Sequence, residues 1–315
     1  MTKIHDIARH TGVSVATVSR VFNKKPYVKE HVRKQVLASA RELGYAPRVT
    51  TRKSNILIIV EGLERINLGN YETLLLTTIS KHLIRERVSF EIIPIHEVDY
   101  LYQNSAEGAV AILYDTESIR KIQHVKSFPL LTINYPVRNC HAVFSDHEQG
   151  IVLAMEHLVE QGHRRIGLFV DYFTSWGSKE RIRGYHDSIG RYSLPFDKEF
   201  LQSREGQSFL EATARIIKAQ PTALIIASED SVMPVTYALH LLNKRIPSDI
   251  SVVSFENARI SQYCVPPHTT ICQPLEQMAE ISARKILEVI REKTGSRIEV
   301  CMKNTLIERQ SVRKA

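Results

Sequence analysis

Twelve Lys and Arg residues fall within the first 55 positions against only Asp6, Glu30 and Glu42, a local net charge of +9. The remainder of the chain carries 30 basic residues against 31 acidic ones, a net −1. A short stretch this positive suits contact with a polyanion, because Lys and Arg that pair with phosphates release condensed counterions. On charge alone a solvated cationic face fits as well. Hydrogen-bonding side chains stand in the same stretch, in the run Ser14-Val15-Ala16-Thr17-Val18-Ser19-Arg20.

The elements that position these groups read as three short helices. Ile4, Ile7 and Ala8 share one helical face, and Gly12 breaks that helix. Ser14 is placed to cap the N-terminus of a second helix, which turns Val15, Ala16 and Ser19 outward and Val18, Val21 and Phe22 toward a core. Helix, tight glycine turn and helix together make a helix-turn-helix. After the break at Asn23-Lys24-Lys25-Pro26, a third helix is expected from about Glu30 to Leu43, stopped by Gly44. Residues 46–55 are rich in Pro, Thr, Ser, Arg and Lys and read as a linker.

Beyond the linker, apolar runs alternate with amphipathic helical patterns. Strands are expected at Ile56–Val60, Phe90–Ile95, Ala109–Leu113, Leu130–Asn134, Ile166–Val170, Ala223–Ala227 and Ser251–Phe255. Helices are expected at Tyr71–Arg87, Gln149–Gln161, Lys179–Ile189, Phe209–Ala219, Val232–Asn243 and Leu275–Lys293. Such alternation predicts an α/β fold of parallel sheets covered by helices on both faces. The strand number fits two doubly wound halves with a ligand cleft between them.

Several function classes are disfavoured. The chain has no G-x-G-x-x-G after a strand, no phosphate-binding G-x-x-x-x-G-K-[ST], no H-E-x-x-H and no G-x-S-x-G, so no enzyme is expected. Cys140, Cys264, Cys272 and Cys301 lie far apart without a C-x-x-C pair, which speaks against a zinc site or a disulfide framework, and no metal or cofactor is expected. The first residues lack the apolar run of a secretory leader, and the run at 56–60 is too short to span a bilayer; a cytoplasmic protein without membrane contact is the expectation. A sugar-binding transport protein would share the core fold but would need the leader and not the basic headpiece.

Lys3-Ile4-His5-Asp6-Ile7-Ala8 followed by Gly12-Val13-Ser14-Val15-Ala16-Thr17-Val18-Ser19-Arg20-Val21-Phe22-Asn23 resembles the headpiece signature of the LacI/GalR family of bacterial transcriptional regulators. The resemblance continues through Leu43-Gly44-Tyr45-Ala46-Pro47, Gly162-His163-Arg164-Arg165-Ile166, Arg181 with Gly184-Tyr185, Pro221-Thr222-Ala223, Ile246-Pro247-Ser248-Asp249-Ile250 and Pro266-Pro267-His268-Thr269-Thr270. It therefore covers essentially the whole chain, and within the family it lies nearest to repressors of galactoside use.

The resemblance implies a helix-turn-helix headpiece at 1–45, a hinge linker at 46–55 and a periplasmic-binding-protein-like core at 56–315. The core would comprise two subdomains, roughly 56–160 with 275–302 and 163–272 with 303–312. It further implies a homodimer, or a tetramer, that binds double-stranded operator DNA and a small-molecule effector, expected to be a sugar. Val15 and Ala16 match the family's specificity pair, and Arg20 matches its base-reading arginine. Arg can grip guanine O6 and N7 together, whereas Val and Ala touch a thymine methyl or leave space. Ser14, Thr17, Ser19, Asn23 and Tyr27 would contact phosphate or fix register.

In the family, the linker forms a short hinge helix whose leucine wedges into the minor groove. Here Arg52 matches the family arginine but no leucine stands at the wedge position; either Val49 substitutes or the operator is bent less. For the effector, the resemblance points to Arg181 as the main anchor, to Tyr71 as an aromatic wall, and to Gln149, Glu229, Glu256 and Gln273 as polar contacts. Ser228-Glu229 and Glu256-Asn257 replace the family's usual Asn-Asp and Asp-Asp, which alters the pocket. Trp176, the one tryptophan, is expected in a loop before the Arg181 helix, either stacked on a sugar ring or packed in the core.

Overall fold

A computed structural model of the chain describes residues 4–22, 27–43, 45, 55–63, 71–97, 106–122, 128–256, 260–292 and 296–315. The headpiece contains α1 (Ile4–Thr11), α2 (Val15–Phe22) and α3 (Glu30–Glu42). They close over Ile7, Ala8, Val18, Val21, Val36 and Ala40, the apolar stripe read from helical spacing. Gly12 makes the turn between α1 and α2 at φ +70°, a conformation that costs glycine little. The Ser14 hydroxyl accepts from the Thr17 N–H at 3.1 Å, the N-cap expected there. Val15 departs from expectation: it is half-buried against the headpiece core instead of facing outward. The linker at 46–54 and the helix stop at Gly44 lie outside the described residues.

The core holds two parallel-dominated sheets. The first is built from β1 (Asn55–Val60), β2 (Ser89–Pro94), β3 (Gly108–Ile112), β4 (Leu130–Ile133), β5 (His141–Ser145) and β11 (Glu299–Met302), in the order β11-β5-β4-β3-β1-β2. The second uses β6 (Ile166–Val170), β7 (Leu201–Ser203), β8 (Ala223–Ile226), β9 (Ser251–Glu256), β10 (Thr269–Cys272) and β12 (Thr305–Ile307), in the order β12-β10-β9-β8-β6-β7. Among the described strands, only β12 runs antiparallel to its neighbour. Alternation decides which residues meet which layer. Ile56, Ile58 and Val60 face α4 (Tyr71–Arg85) and α10 (Leu275–Glu292), while Leu57 and Ile59 face the other side with α5 (Thr116–Ile122). In the second lobe α6 (His147–Glu160) and α7 (Trp176–Arg191) cover one face, and α8 (Phe209–Lys218) and α9 (Glu229–Leu241) cover the other.

All seven strands expected from apolar runs form, within a residue of the expected ends. The unexpected ones are β5, β7, β10, β11 and β12. β7 and β12 have three residues each, and β11 alternates exposed and half-buried positions, so none makes a continuous apolar run. β10 is buried through threonines whose polar groups are satisfied: Thr270 Oγ1 donates to Ser254 O at 2.8 Å. Trp176 requires a correction. It opens α7 instead of preceding it in a loop, because Ser175 caps the helix by accepting from Ser178 N–H at 3.3 Å. Gly184 lets α7 approach α6, since a Cβ there would stand 2.9 Å from the Glu148 carbonyl oxygen.

The chain passes between the lobes three times, from β5 to α6, from β10 to α10 and from β11 to β12. Asn304 ties two of these passages together. Its Oδ1 accepts from Ser145 Oγ at 2.7 Å, its Nδ2 donates to Asp146 O at 2.6 Å, and its N–H donates to Gln149 Oε1 at 2.9 Å. The Gln149 amide returns a bond to Asn304 O at 3.3 Å. Asn304→Ala should lower unfolding stability by about 2–4 kcal/mol, because the buried Ser145 hydroxyl and the Asp146 carbonyl each lose a partner. Lys303→Ala, which removes only an exposed pair with Asp146, should cost less than about 1 kcal/mol. Urea unfolding of both variants checks the ordering; equal losses would show that the joint contributes little.

Candidate functional site

Two surfaces gather the polar groups singled out by the sequence. On the headpiece, Ser14, Ala16 and Arg20 are exposed and Thr17 and Ser19 half-exposed along α2, and Tyr27 is 94% exposed. Ser14 Oγ and Thr17 Oγ1 are 2.9 Å apart, so the helix N-terminus presents a pair of hydroxyls beside its uncompensated N–H groups. Such an array offers donors to phosphate oxygens, with Arg20 one turn further along. Asn23 and Arg52 lie outside the described residues.

The second surface is a cavity of about 440 Å³ between the two lobes. Its walls come from the carboxyl ends of strands: Glu61 after β1, Tyr114 and Asp115 after β3, Asn134 after β4, Asp171 after β6, Arg204 after β7, Ser228 after β8 and Gln273 after β10. Helix N-termini add Tyr71 and Glu72 from α4, His147 from α6, and Glu229 and Asp230 from α9. Arg181 enters one turn and a half into α7.

Arg181 is held in place from two sides. Its Nη1 donates to the Ala227 carbonyl at 2.8 Å, and the guanidinium lies 4.7 Å from the Phe255 ring centroid. Its Nε is buried and has no hydrogen-bond partner among the described residues, so a donor waits at the cavity wall. Burial brings its pKa down to about 10, against the attraction of Tyr71 and Asp171, so the group stays charged at neutral pH. Arg204 differs. It is paired to Asp171 at 2.5 Å and lies over Tyr172 at 4.4 Å.

A hydrogen-bond chain crosses the floor. Asn134, itself in the left-handed region at φ +75°, donates Nδ2 to Leu113 O at 3.1 Å. Its Oδ1 is thereby left to accept from Tyr71 Oη at 3.3 Å and from His147 Nε2 at 3.1 Å. The His147 proton must then sit on Nε2, with Nδ1 facing the Gln273 amide nitrogen at 3.5 Å. Burial first and Arg181 second hold this imidazole well below its ordinary pKa, hence neutral. His147 so touches the first lobe, the β10–α10 passage and, through Trp176 at 5.2 Å between ring centroids, the second lobe.

Of the residues expected to hold a ligand, Tyr71, Arg181, Glu229 and Gln273 line the cavity together. Gln149 does not; it belongs to the Asn304 joint. Trp176 does not line it either and packs behind the floor against Tyr135, Phe144 and His147. Glu256 closes β9, and its side chain lies outside the described set. Sequence reading missed Glu61, Glu72, Asp115, His147, Asp171 and Arg204. Several stand one or two places beyond a strand, so the rule that α/β sheets bind ligands at their carboxyl ends marks those positions.

Glu61 accepts from the Tyr114 and Asp115 N–H groups at 2.7 and 3.3 Å. Burial nevertheless raises its pKa from 4.5 to about 7, with nearby Asp115 adding to the rise. The folded protein therefore keeps a proton that the unfolded chain releases near 4.5, and stability declines as pH rises from about 4.5 to about 7. Glu61→Gln keeps an oxygen acceptor and removes the titration. Its melting temperature should exceed the parent's at pH 8 but not at pH 4.5; an equal gain at both would exclude the proton as the cause.

Comparison with known proteins places these two surfaces in one family. Residues 3–48 match the model of bacterial regulatory proteins of the lacI family, and residues 155–312, half of the chain, match that of a periplasmic binding protein-like domain. The chain is 28% identical to the probable HTH-type transcriptional repressor ExuR of Bacillus subtilis, over all of this chain and 99% of the relative. It is 25% identical to the HTH-type transcriptional repressor PurR of Photobacterium profundum, over 99% of each. Two solved structures share the fold along 99% of this chain. They are the transcriptional regulator CelR in complex with cellobiose, covered over 100% of its length with TM-score 0.74 and 20% identity, and the lac repressor dimer bound to operator and the anti-inducer ONPF, covered over 99% with TM-score 0.73 and 21% identity. The names ExuR and PurR do not extend to the galactoside grouping expected from the motifs. With a helix-turn-helix match at one end and a binding-protein-like match over half its length, the chain belongs to the lacI family of bacterial regulatory proteins.

Proposed function

We infer that this chain is a sequence-specific DNA-binding repressor whose operator affinity is set by a small, hydroxyl-rich effector, a sugar, bound between the lobes of its core. The observation that carries this reading is the pairing, in one chain, of an exposed recognition helix with a polar cavity lined from both lobes at the sheets' carboxyl ends. The CelR complex with cellobiose supports a sugar by analogy of fold. The protein acts by binding, without catalysis, and works in the cytoplasm where its operator lies.

In this reading 1–45 is the DNA-binding unit, 46–55 the hinge and 56–315 the sensing core. Arg20 reads a guanine, Ala16 and the part of Val15 left uncovered by the headpiece core meet apolar base edges, and Ser14, Thr17, Ser19, Asn23 and Tyr27 hold phosphates, with Arg52 contacting DNA from the hinge. Two copies are needed, because one helix-turn-helix spans a single half-site. The surface that suits the second copy lies on the second lobe. Met233, Tyr237 and Leu241 form an exposed stripe on α9, continued by Tyr263 and by Val265, 90% exposed, with Cys264 Sγ donating to Met233 Sδ at 3.8 Å. Effector control requires only that the ligand bind the DNA-competent and free arrangements of the lobes with different affinity.

Arg20→Ala should reduce discrimination between operator and random duplex by about 1–3 kcal/mol while nonspecific affinity largely survives. Fluorescence titrations on both duplexes across a salt series check it; a uniform loss on every sequence would move Arg20 to the backbone. Arg181→Ala should fold and hold its operator yet no longer change affinity when effector is added. Calorimetry with a sugar panel, alongside operator binding with and without the sugar, tests this, and an unchanged ligand affinity would remove Arg181 as the anchor.

A further inference from the structure

The effector reading leaves open what kind of ligand the cavity takes, and the chemistry of its walls narrows the choice. Six carboxylates line it: Glu61, Glu72 and Asp115 from the first lobe, and Asp171, Glu229 and Asp230 from the second. Two guanidiniums oppose them, and one of these, Arg204, is already committed to Asp171 through both its Nε and its Nη2. Arg181 remains, with one donor engaged by Ala227 and its face on Phe255.

Such a wall carries more carboxyl groups than cations, while its hydroxyls and amides, among them Tyr71, Tyr114, Ser228 and Gln273, can donate as well as accept. Glu61 and Glu72, pushed toward protonation by burial, can each offer an O–H, but an ionised carboxylate accepts hydrogen bonds and has none to give. A ligand that satisfies it must bring O–H or N–H groups, and a carboxylate or phosphate on the ligand would bring only further acceptors. The carboxylates are also arranged across the opening. Glu72 on the first lobe feels the charges of Asp230 and Asp171 on the second, so the lobes oppose each other with like charge. A hydroxyl-rich ligand between them supplies donors to both sides, whereas an anion adds to the repulsion.

Resting on the effector reading, we propose that this cavity accepts a polyhydroxylated ligand without negative charge, a neutral saccharide or an amino sugar, and excludes uronates, sugar phosphates and nucleotides. Arg181 then serves as a donor to ring or hydroxyl oxygens of an uncharged ligand and does not act as the counter-ion of an acidic one. Selectivity of this kind comes from the surplus of carboxylates and not from the shape of the cavity alone.

The test is isothermal calorimetry on the full chain with matched sets: glucose, glucosamine and glucuronate; galactose, galactosamine and galacturonate; and, separately, inorganic phosphate, citrate and ATP. Within any set that binds, the uronate should be at least about tenfold weaker than its neutral or amino counterpart. The double variant Glu72→Gln, Asp230→Asn should shrink that ratio, because it removes opposing carboxylates from both lobes. A uronate that binds as tightly as its neutral partner, or a ratio unmoved in the double variant, overturns the proposal. If no saccharide of any charge binds, the sugar reading itself falls. The exclusion of anions is then judged by phosphate, citrate and ATP: binding that disappears in Arg181→Ala overturns it, and the absence of binding by all three upholds it.

Discussion

The joint between the lobes is the constraint on which the remainder of this molecule depends. A chain that leaves one sheet and enters another must carry its backbone polar groups across a gap where no strand neighbour can satisfy them. Asn304 answers that need by serving two passages with its side chain and its own backbone, while Gln149 closes the loop from α6. Asn304 and Gln149 each donate and accept within the joint, so the arrangement resists replacement by apolar packing. Because α10 follows β10 of the second lobe but packs on the first, neither lobe is complete without the passages. The cavity exists where it does because this joint holds the two sets of strand ends opposite one another.

The cavity in turn carries charges that a folded protein seldom gathers at no cost. Burial pushes Glu61 and Glu72 toward protonation and lifts the Tyr114 hydroxyl well above its ordinary range, while Asp115 stays acidic because hydrogen bonds, led by that from Ser118 N–H at 2.7 Å, outweigh its burial. Arg204 offsets Asp171. What is left is a surplus of carboxyl groups around a positioned guanidinium, kept apart from the apolar cores on either side of each sheet. A site of that kind is destabilising in itself and useful once a ligand supplies partners for its polar groups. Its neutral, doubly bonded His147 lies where floor, passage and second lobe meet, so motion of one lobe cannot leave the floor unaffected.

The headpiece works by the opposite arrangement. Among the described residues its small core of six buried apolar side chains holds α2 at a fixed attitude, and Arg9, Arg20, Lys29 and Lys34 are left in solvent. Screened, exposed cations contribute little to folding and much to attraction for a polyanion. Division of the chain into a charged reader and a near-neutral sensor therefore separates the electrostatics of DNA binding from those of the ligand cavity.

The amino-acid sequence by itself determined the three headpiece helices, the Ser14 cap and the seven strands with long apolar runs, because helical spacing, capping chemistry and continuous hydrophobicity are local properties. It also marked Tyr71, Arg181, Glu229 and Gln273 for the cavity, on the motifs around them. Tertiary structure alone decided the rest. Short strands such as β7 and β12 form because a neighbouring edge is already there to pair with, which no window of a few residues reveals. Gln149 and Trp176 carry side chains suited to a sugar, yet the first is drawn into the joint by Asn304, 155 residues away, and the second into the aromatic cluster behind His147. Glu61, Asp115 and Asp171 look like ordinary surface acids in the sequence. They become a site only when two sheets bring their strand ends together and water is partly excluded, since hydrogen bonding and charge depend on distances that local sequence does not set.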